Sequence, residues 1–232
     1  MLFVKIIIIS FVGGLLCLDR VFVQAMISRP IIVAPVIGLI LGNPYAGLII
    51  GAILELFWID RIPVGIYVPP NDSIAAVIAV SMAILSAQTP AAVTRELMAL
   101  SILLAIPFGI GAKKVDVKIM ASNNHLSDQA LVDAKDLNIR AIERKTYLGL
   151  AKVFLFYVVL LFVLQIIFIP TLIWIYPKLP APINAMLSLT YYFLPLLGIA
   201  VAINTIKLRG AIPVFCAIFL VVAAAMEFFH VF

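Results

Sequence analysis

PIIVAPVIGLILGNPYAGLIIGAILELFWID, residues 30–60, is apolar almost throughout, is too long for one membrane helix, and is interrupted in its middle by Gly42-Asn43-Pro44. A clean spanning helix needs about 20 apolar residues. Lipid offers no partner to unpaired backbone groups, so an interrupted apolar segment must line a cavity or be buried in protein. A Gly/Pro-kinked structural helix is the simpler alternative. The next apolar segment, 73–88, is short and follows the rigid pair Pro69-Pro70. Residues 30–90 therefore read as the working half of an all-α, polytopic membrane protein with broken or re-entrant helices.

Composition supports this class. Hydrophobic residues make up 65% of the 232 positions and charged residues 12%, against roughly 45–50% and about 25% in ordinary soluble domains. A soluble globule of this size has no way to hide so much apolar surface. The net charge of +5 comes from 16 Lys and Arg against 11 Asp and Glu. In a membrane protein that excess reflects loops facing anionic lipid, and it excludes a nucleic-acid module here because several charges lie inside or beside apolar runs. Cys17 and Cys216 fall in apolar runs without metal-ligand spacing and read as small buried hydrophobes. The start, Met1 to Cys17, carries Lys5 and an apolar stretch but runs into Leu18-Asp19-Arg20 without a small-x-small cleavage site, and reads as a retained first helix.

The apolar segments are 2–18, 30–60, 73–88, 96–112, 148–176, 186–206 and 211–229. They divide the chain into an N-terminal membrane region with the candidate site core (1–112), a polar loop (113–147) and C-terminal membrane helices (148–232). The loop carries Lys113, Lys114, Lys118, Arg140, Arg144 and Lys145, which places it in the cytoplasm. Within it Leu126, Ala130, Leu131, Ala134, Leu137 and Ala141 recur at helical spacing, with Ser127 as a possible N-cap, so one or two amphipathic helices are expected on the membrane or against a partner. Counting crossings outward returns Lys207 and Arg209 to the cytoplasm and leaves His230 outside.

Glu55 lies in Gly51-Ala52-Ile53-Leu54-Glu55-Leu56-Phe57-Trp58, apolar on both sides. A charge at mid-membrane costs about 2.5–3.5 kcal/mol on insertion scales, so it should face a cavity or a partner. A structural pair with Arg61 or Arg29 is the alternative. Pro69-Pro70 hold the chain extended and leave carbonyls free, while Asn71, Asp72 and Ser73 offer donors and acceptors at the mouth of the next segment. Asp72 or Ser73 equally suits a helix cap. With Glu55 the set suits a polyol, which needs several fixed amide and carboxylate partners. Asp19, Arg20, Gln24, Ser28, Arg29 and Pro30 form a third group. Arg29 has snorkelling at a membrane edge as its simple explanation. Gln24 suits either substrate binding or a bond between helices. The sequence has no G-x-S-x-G, H-E-x-x-H, Walker or paired-Cys motif, and neither a metal nor another cofactor is expected. His125 reads as an ordinary solvated histidine. An intramembrane enzyme acting on lipid would need clustered acids or histidines, and only Glu55 lies deep in an apolar run.

The run from Leu54-Glu55-Leu56-Phe57-Trp58-Ile59-Asp60 through Pro63-Val64-Gly65 to Val68-Pro69-Pro70-Asn71-Asp72 resembles the C component (IIC) of mannose/fructose/sorbose-family sugar phosphotransferase permeases. Leu18-Asp19-Arg20 with Ser28-Arg29-Pro30 and Gly38-Leu39-Ile40-Leu41-Gly42 resembles that family's N-terminal stretch, and Ile203-Asn204 with Lys207, Arg209-Gly210 and Pro213 its C-terminal hairpin. The resemblance implies a multi-pass subunit of the bacterial inner membrane that pairs with a D component (IID) in an oligomer. It would translocate a hexose-type sugar by alternating access while soluble A and B components (IIA, IIB) supply phosphate from phosphoenolpyruvate. No phosphoryl-transfer residue is then expected on this chain. Glu55 and Asn71 match polar positions of the family's translocation core, and Asp19 and Gln24 its N-terminal polar stretch; with Asp72 these form the expected sugar site. One departure is Asn71, where the family often has an acid after the proline. A carboxylate accepts from two sugar hydroxyls, whereas an amide accepts at one end and donates at the other. That change keeps open a transport-inactive regulatory or structural protein that retains the fold.

Overall fold

The computed structural model describes residues 2–61, 67–205 and 211–228. Pro63-Val64-Gly65 of the resemblance block, Lys207, Arg209 and Gly210 of its C-terminal part, and His230 lie outside the described residues. Eight α-helices follow in chain order: α1 Leu2–Leu18, α2 Pro30–Leu41, α3 Pro44–Phe57, α4 Asp72–Leu85, α5 Arg95–Lys135, α6 Ile139–Ile175, α7 Ala181–Thr205 and α8 Ala211–Phe228. Short 3-10 turns at Pro90–Ala92 and Tyr176–Lys178 complete the described regular structure. By length and composition the stretches Arg95–Lys135, Ile139–Lys178 and Ala181–Thr205 are long and apolar enough to cross a membrane.

The break at Gly42-Asn43-Pro44 folds segment 30–60 into a helical hairpin. Gly42 takes φ +88, a backbone region natural to glycine, and ends α2. Asn43 then caps α3, its Oδ1 accepting from the Ala46 N–H at 2.9 Å, while its Nδ2 donates to the Pro90 carbonyl at 2.7 Å. Pro44 fits the first turn because its missing N–H would have had no helical partner. At about 1.5 Å per residue, α2 (12 residues) and α3 (14 residues) reach only ~18 and ~21 Å. Neither alone spans a hydrocarbon core of about 30 Å.

Glycines let the two half-helices approach closely. A Cβ on Gly47 would collide with the Ala34 carbonyl oxygen, and one on Gly51 would lie 2.6 Å from the Pro30 carbonyl oxygen. Backbone has no rotamer with which to yield. Gly47→Leu should therefore prevent α2–α3 closure, read as loss of a monodisperse, thermally cooperative species in detergent. Unchanged melting of that variant would refute this packing.

Around the hairpin, α4 is the central element: every residue from Asp72 to Ile84 is buried, as expected for a helix apolar on all sides. α1 lies along α6 and against α4: Gly13 faces Leu161 of α6 and Val77 of α4, and Gly14 faces Val158 of α6. α7 packs on α3 and α5, and α8 on α7. Cys17 is buried as expected, but Cys216 is exposed on α8, which presents most of its apolar surface outward.

The polar stretch 113–147 is helical but is not a separate layer. α5 runs unbroken into it to Lys135, and α6 begins within it at Ile139. Ser127 therefore caps nothing; it lies inside α5. The turn between the helices places Leu137 at φ +53, and Asn138 caps α6 through the Ala141 N–H at 3.2 Å. Lys145 pairs with Asp133 across the resulting hairpin.

Candidate functional site

The linker between α1 and α2, residues 19–29, folds over the start of α4. Asp19 is the reason it holds shape: its Oδ1 accepts from the Ala25 N–H (2.9 Å) and its Oδ2 from the Ser28 N–H (3.1 Å). Gln24 and Met26 adopt φ +57 and +61, so the linker turns back sharply. The Ser73 hydroxyl donates to the Ser28 carbonyl at 2.5 Å, tying the linker to α4.

This arrangement brings four charged groups together. Arg20 forms an ion pair with Asp72 and donates to the Pro70 carbonyl at 3.3 Å, so a carbonyl expected to stay free beside the two prolines is occupied. Arg29 reaches Asp72 at 3.6 Å and Glu55 at 3.5 Å. Of the two structural partners open to Glu55, the fold selects Arg29. Snorkelling does not describe Arg29, which bridges two carboxylates. Glu55 Oε2 also accepts from the Ile31 N–H at 3.3 Å. It thereby serves the first turn of α2, whose N-cap position, Arg29, makes no side-chain cap bond.

A second cluster adjoins the first. Asn71 is fully buried and is the cap of α4, through its Oδ1 and the Ile74 N–H at 3.1 Å; the capping alternative for this block thus belongs to Asn71 rather than Asp72 or Ser73. Its backbone N–H donates to the Gly109 carbonyl at 2.9 Å, and its Nδ2 donates to Asp116 Oδ2 at 3.0 Å. The Tyr157 hydroxyl on α6 donates to Asp116 Oδ1 at 3.1 Å. Asp116 and Tyr157 were not singled out from the sequence. A signal existed for both: Gly109, Ala112, Asp116 and Ile119 form the buried face of α5 at helical spacing, and Val153, Tyr157 and Leu161 that of α6.

The two clusters form the wall of a cavity of about 1240 Å³. Asp19, Arg20, Gln24, Arg29, Asp72, Asp116 and Tyr157 line it, and α5 and α6 carry it toward Leu126, Ala130 and Lys145 on the hairpin. Tyr67 stands on another side, with Arg61 donating to its hydroxyl at 3.3 Å and Lys113 4.9 Å from its ring centre. Of the expected site residues, Asp19, Gln24 and Asp72 face this space. Glu55 and Asn71 stand behind it, joined to it through Arg29 and Asp116. Gln24 is exposed, and its side chain makes no hydrogen bond among the described residues, so the alternative of a bond between helices is not realised. His125 is exposed on α5 and, among the described residues, bonds only to its neighbour Gln129, at 3.0 Å. No group of three or more metal-ligating side chains occurs among the described residues.

Fold and cavity together define a helical membrane protein with a short-helix hairpin packed beside a largely apolar chamber that has charged side chains on one wall. The family model for the sorbose-specific IIC component of phosphotransferase systems matches residues 3–230, and the chain belongs to that family of sugar permease components. A relative in Escherichia coli (strain K12), "Putative N-acetylgalactosamine permease IIC component 2", is 28% identical over 106 residues, 46% of this chain and 71% of the relative. Two solved structures share the fold at 19% identity, each alignment covering 96% of this chain and 86% of the other. One is described as "Structure of membrane protein" (TM-score 0.70) and the other as "CryoEM Structure of Mannose Transporter ManYZ and Microcin E492 (MceA) complex" (TM-score 0.61).

Proposed function

We propose that this chain translocates a hexose-type sugar across the bacterial inner membrane by alternating access, coupled to phosphorylation of the sugar by soluble IIA and IIB components. The observation that carries the reading is the cavity beside α4. Its wall offers carboxylates, guanidiniums, amides and phenols, the mixture of donors and acceptors that a polyol demands. Its volume exceeds the about 300–1,000 Å³ of ordinary ligand pockets, which fits an open vestibule rather than a closed binding state. In this reading Asp72, Asp116, Tyr157 and Gln24 meet sugar hydroxyls, Arg20 orients Asp72, and Asp19 shapes the linker. Glu55 and Asn71 position Arg29 and Asp116.

The cavity extends along the α5–α6 hairpin, which the positive-inside rule assigns to the cytoplasm. Such a geometry suits release of sugar toward the phosphorylating components, with the hairpin as the docking surface for IIB or IID. Closure would move the α2–α3 hairpin and its linker against the long helices, as broken-helix elements do in other transporters. The apolar outer faces of α1 and α8 leave room for IID and for further copies in an oligomer.

Gln24 provides the cleanest test because no fold contact depends on its side chain. Uptake and phosphorylation of labelled hexoses are measured in cells expressing the chain with its cognate partners. Gln24→Ala is expected to raise the half-saturation concentration about five- to ten-fold, the value of one hydrogen bond of about 1–1.5 kcal/mol, at unchanged thermal stability. Absence of any hexose accumulation by a correctly inserted wild-type complex would end the transport reading.

A further inference from the structure

The cations of the hairpin divide into two kinds. Lys145 is paired with Asp133, and Lys152 bonds Ser122 through its hydroxyl and, at 3.3 Å, its carbonyl. Arg140 and Arg144 have no hydrogen bond or ion pair among the described residues, although they stand one turn apart on the same exposed face of α6. Together with Glu143, Tyr147, Leu148 and Ala151 they line an open surface groove of about 450 Å³. The same face continues into exposed apolar residues: Tyr147 (62% exposed), Leu148 (49%), Leu155 (62%) and Val159 (52%). The charged end of this stripe therefore meets its apolar part at Tyr147, a residue type that settles at the membrane–water boundary.

We propose that this groove binds an anionic phospholipid whose headgroup carries hydroxyls, of the phosphatidylglycerol type. Two unpaired guanidiniums complement the phosphate, and arginine forks match its oxygens better than lysine does. The acyl chains continue along Leu148, Leu155 and Val159, where apolar surface already faces lipid. Glu143 lines the same groove and accepts hydrogen bonds from glycerol hydroxyls, which sets this headgroup apart from a bare phosphate. The site lies on the outer face of α6, away from the cavity residues Val153 and Tyr157, so it holds whether or not the chamber carries sugar.

The full-length protein is reconstituted in nanodiscs of equimolar phosphatidylglycerol and phosphatidylcholine, and the retained lipids are counted by native mass spectrometry. At roughly five-fold per arginine near a charged surface, Arg140→Gln with Arg144→Gln should lower phosphatidylglycerol enrichment on the order of ten-fold or more. Lys135→Gln, at the exposed tip of the hairpin, should leave it unchanged. Melting in pure phosphatidylcholine should be the same for all three proteins, which separates lipid binding from folding. Equal enrichment in the double variant and the wild type would overturn the site. An equal drop in Lys135→Gln would also overturn it, in favour of diffuse charge attraction. Unchanged lipid with lost sugar uptake would overturn it as well, and would assign the arginines to a soluble protein partner.

Discussion

Asp72→Ala is expected to abolish sugar uptake and to lower the melting temperature strongly. Asp72 receives both Arg20 and Arg29, and the Arg20 and Asp72 side chains are only 16% and 10% exposed. Removing it leaves Arg20 with the Pro70 carbonyl and Arg29 with Glu55 alone. Stranding a largely buried charge in this way costs about 3–5 kcal/mol. The loss is local in origin but reaches three elements, because Asp72 at the start of α4 holds the linker arginines, and Arg29 in turn holds Glu55 on α3. Asp72→Asn keeps the shape and the oxygen that accepts from the Ser73 N–H at 3.0 Å while removing the charge. It should fall between wild type and Asp72→Ala in thermal melting. A melting temperature for Asp72→Ala within a degree or two of wild type would show that the arginines find water or lipid phosphate instead, and the charge network would lose its structural meaning.

That network shows where the sequence was informative and where it was silent. The break at Gly42-Asn43-Pro44 was legible because each residue there has a local conformational consequence: a left-handed glycine, a capping amide and a proline that starts a helix. Glu55 was legible as a conspicuous charge, since an acid in an apolar run needs an explanation at once. Its partner was narrowed to Arg29 or Arg61 but not decided between them, because Arg29 meets it only through the closure of two half-helices, which neither local pattern specifies. The polar character of 113–147 suggested a loop with one or two helices of its own, yet helix continuation is decided by backbone propensity and packing, and no residue there breaks α5 before Lys135. Asp116 was hidden for the same reason: it looked like one charge among many in a basic stretch. Only its phase with Gly109 and Ala112 marks it as inward-facing. The membrane class followed from composition alone, whereas the chamber depends on pairings between residues 41 to 52 positions apart in the chain.

The pair Asn71 and Asp116 yields the sharpest test of the chamber, because each group fits the other's chemistry. Asn71 donates to Asp116 at 3.0 Å while its other end caps α4, and Tyr157 donates to the second carboxylate oxygen. Asn71→Asp puts an acid where the family resemblance led one to be expected, but it sets two carboxylates against each other at that distance. Two such groups cannot both stay ionised, so a proton must be bound or the helices must part. The single variant is expected to lose most uptake and stability even though aspartate caps helices as well as asparagine does. Asp116→Asn should be milder, since two amides can still bond and Tyr157 retains an acceptor. Combining the two exchanges reverses the direction of the hydrogen bond and restores one acid and one amide. The double variant should then recover a large part of the stability lost by Asn71→Asp, giving a coupling of about 1–3 kcal/mol in a double-mutant cycle. Recovered stability with no recovered uptake would mean that the carboxylate must stand on α5, where it faces the cavity, and would make Asp116 itself a sugar ligand. Additive losses in stability would mean that the two side chains do not meet in the membrane, and the Asn71–Asp116 wall of the chamber would have to be abandoned.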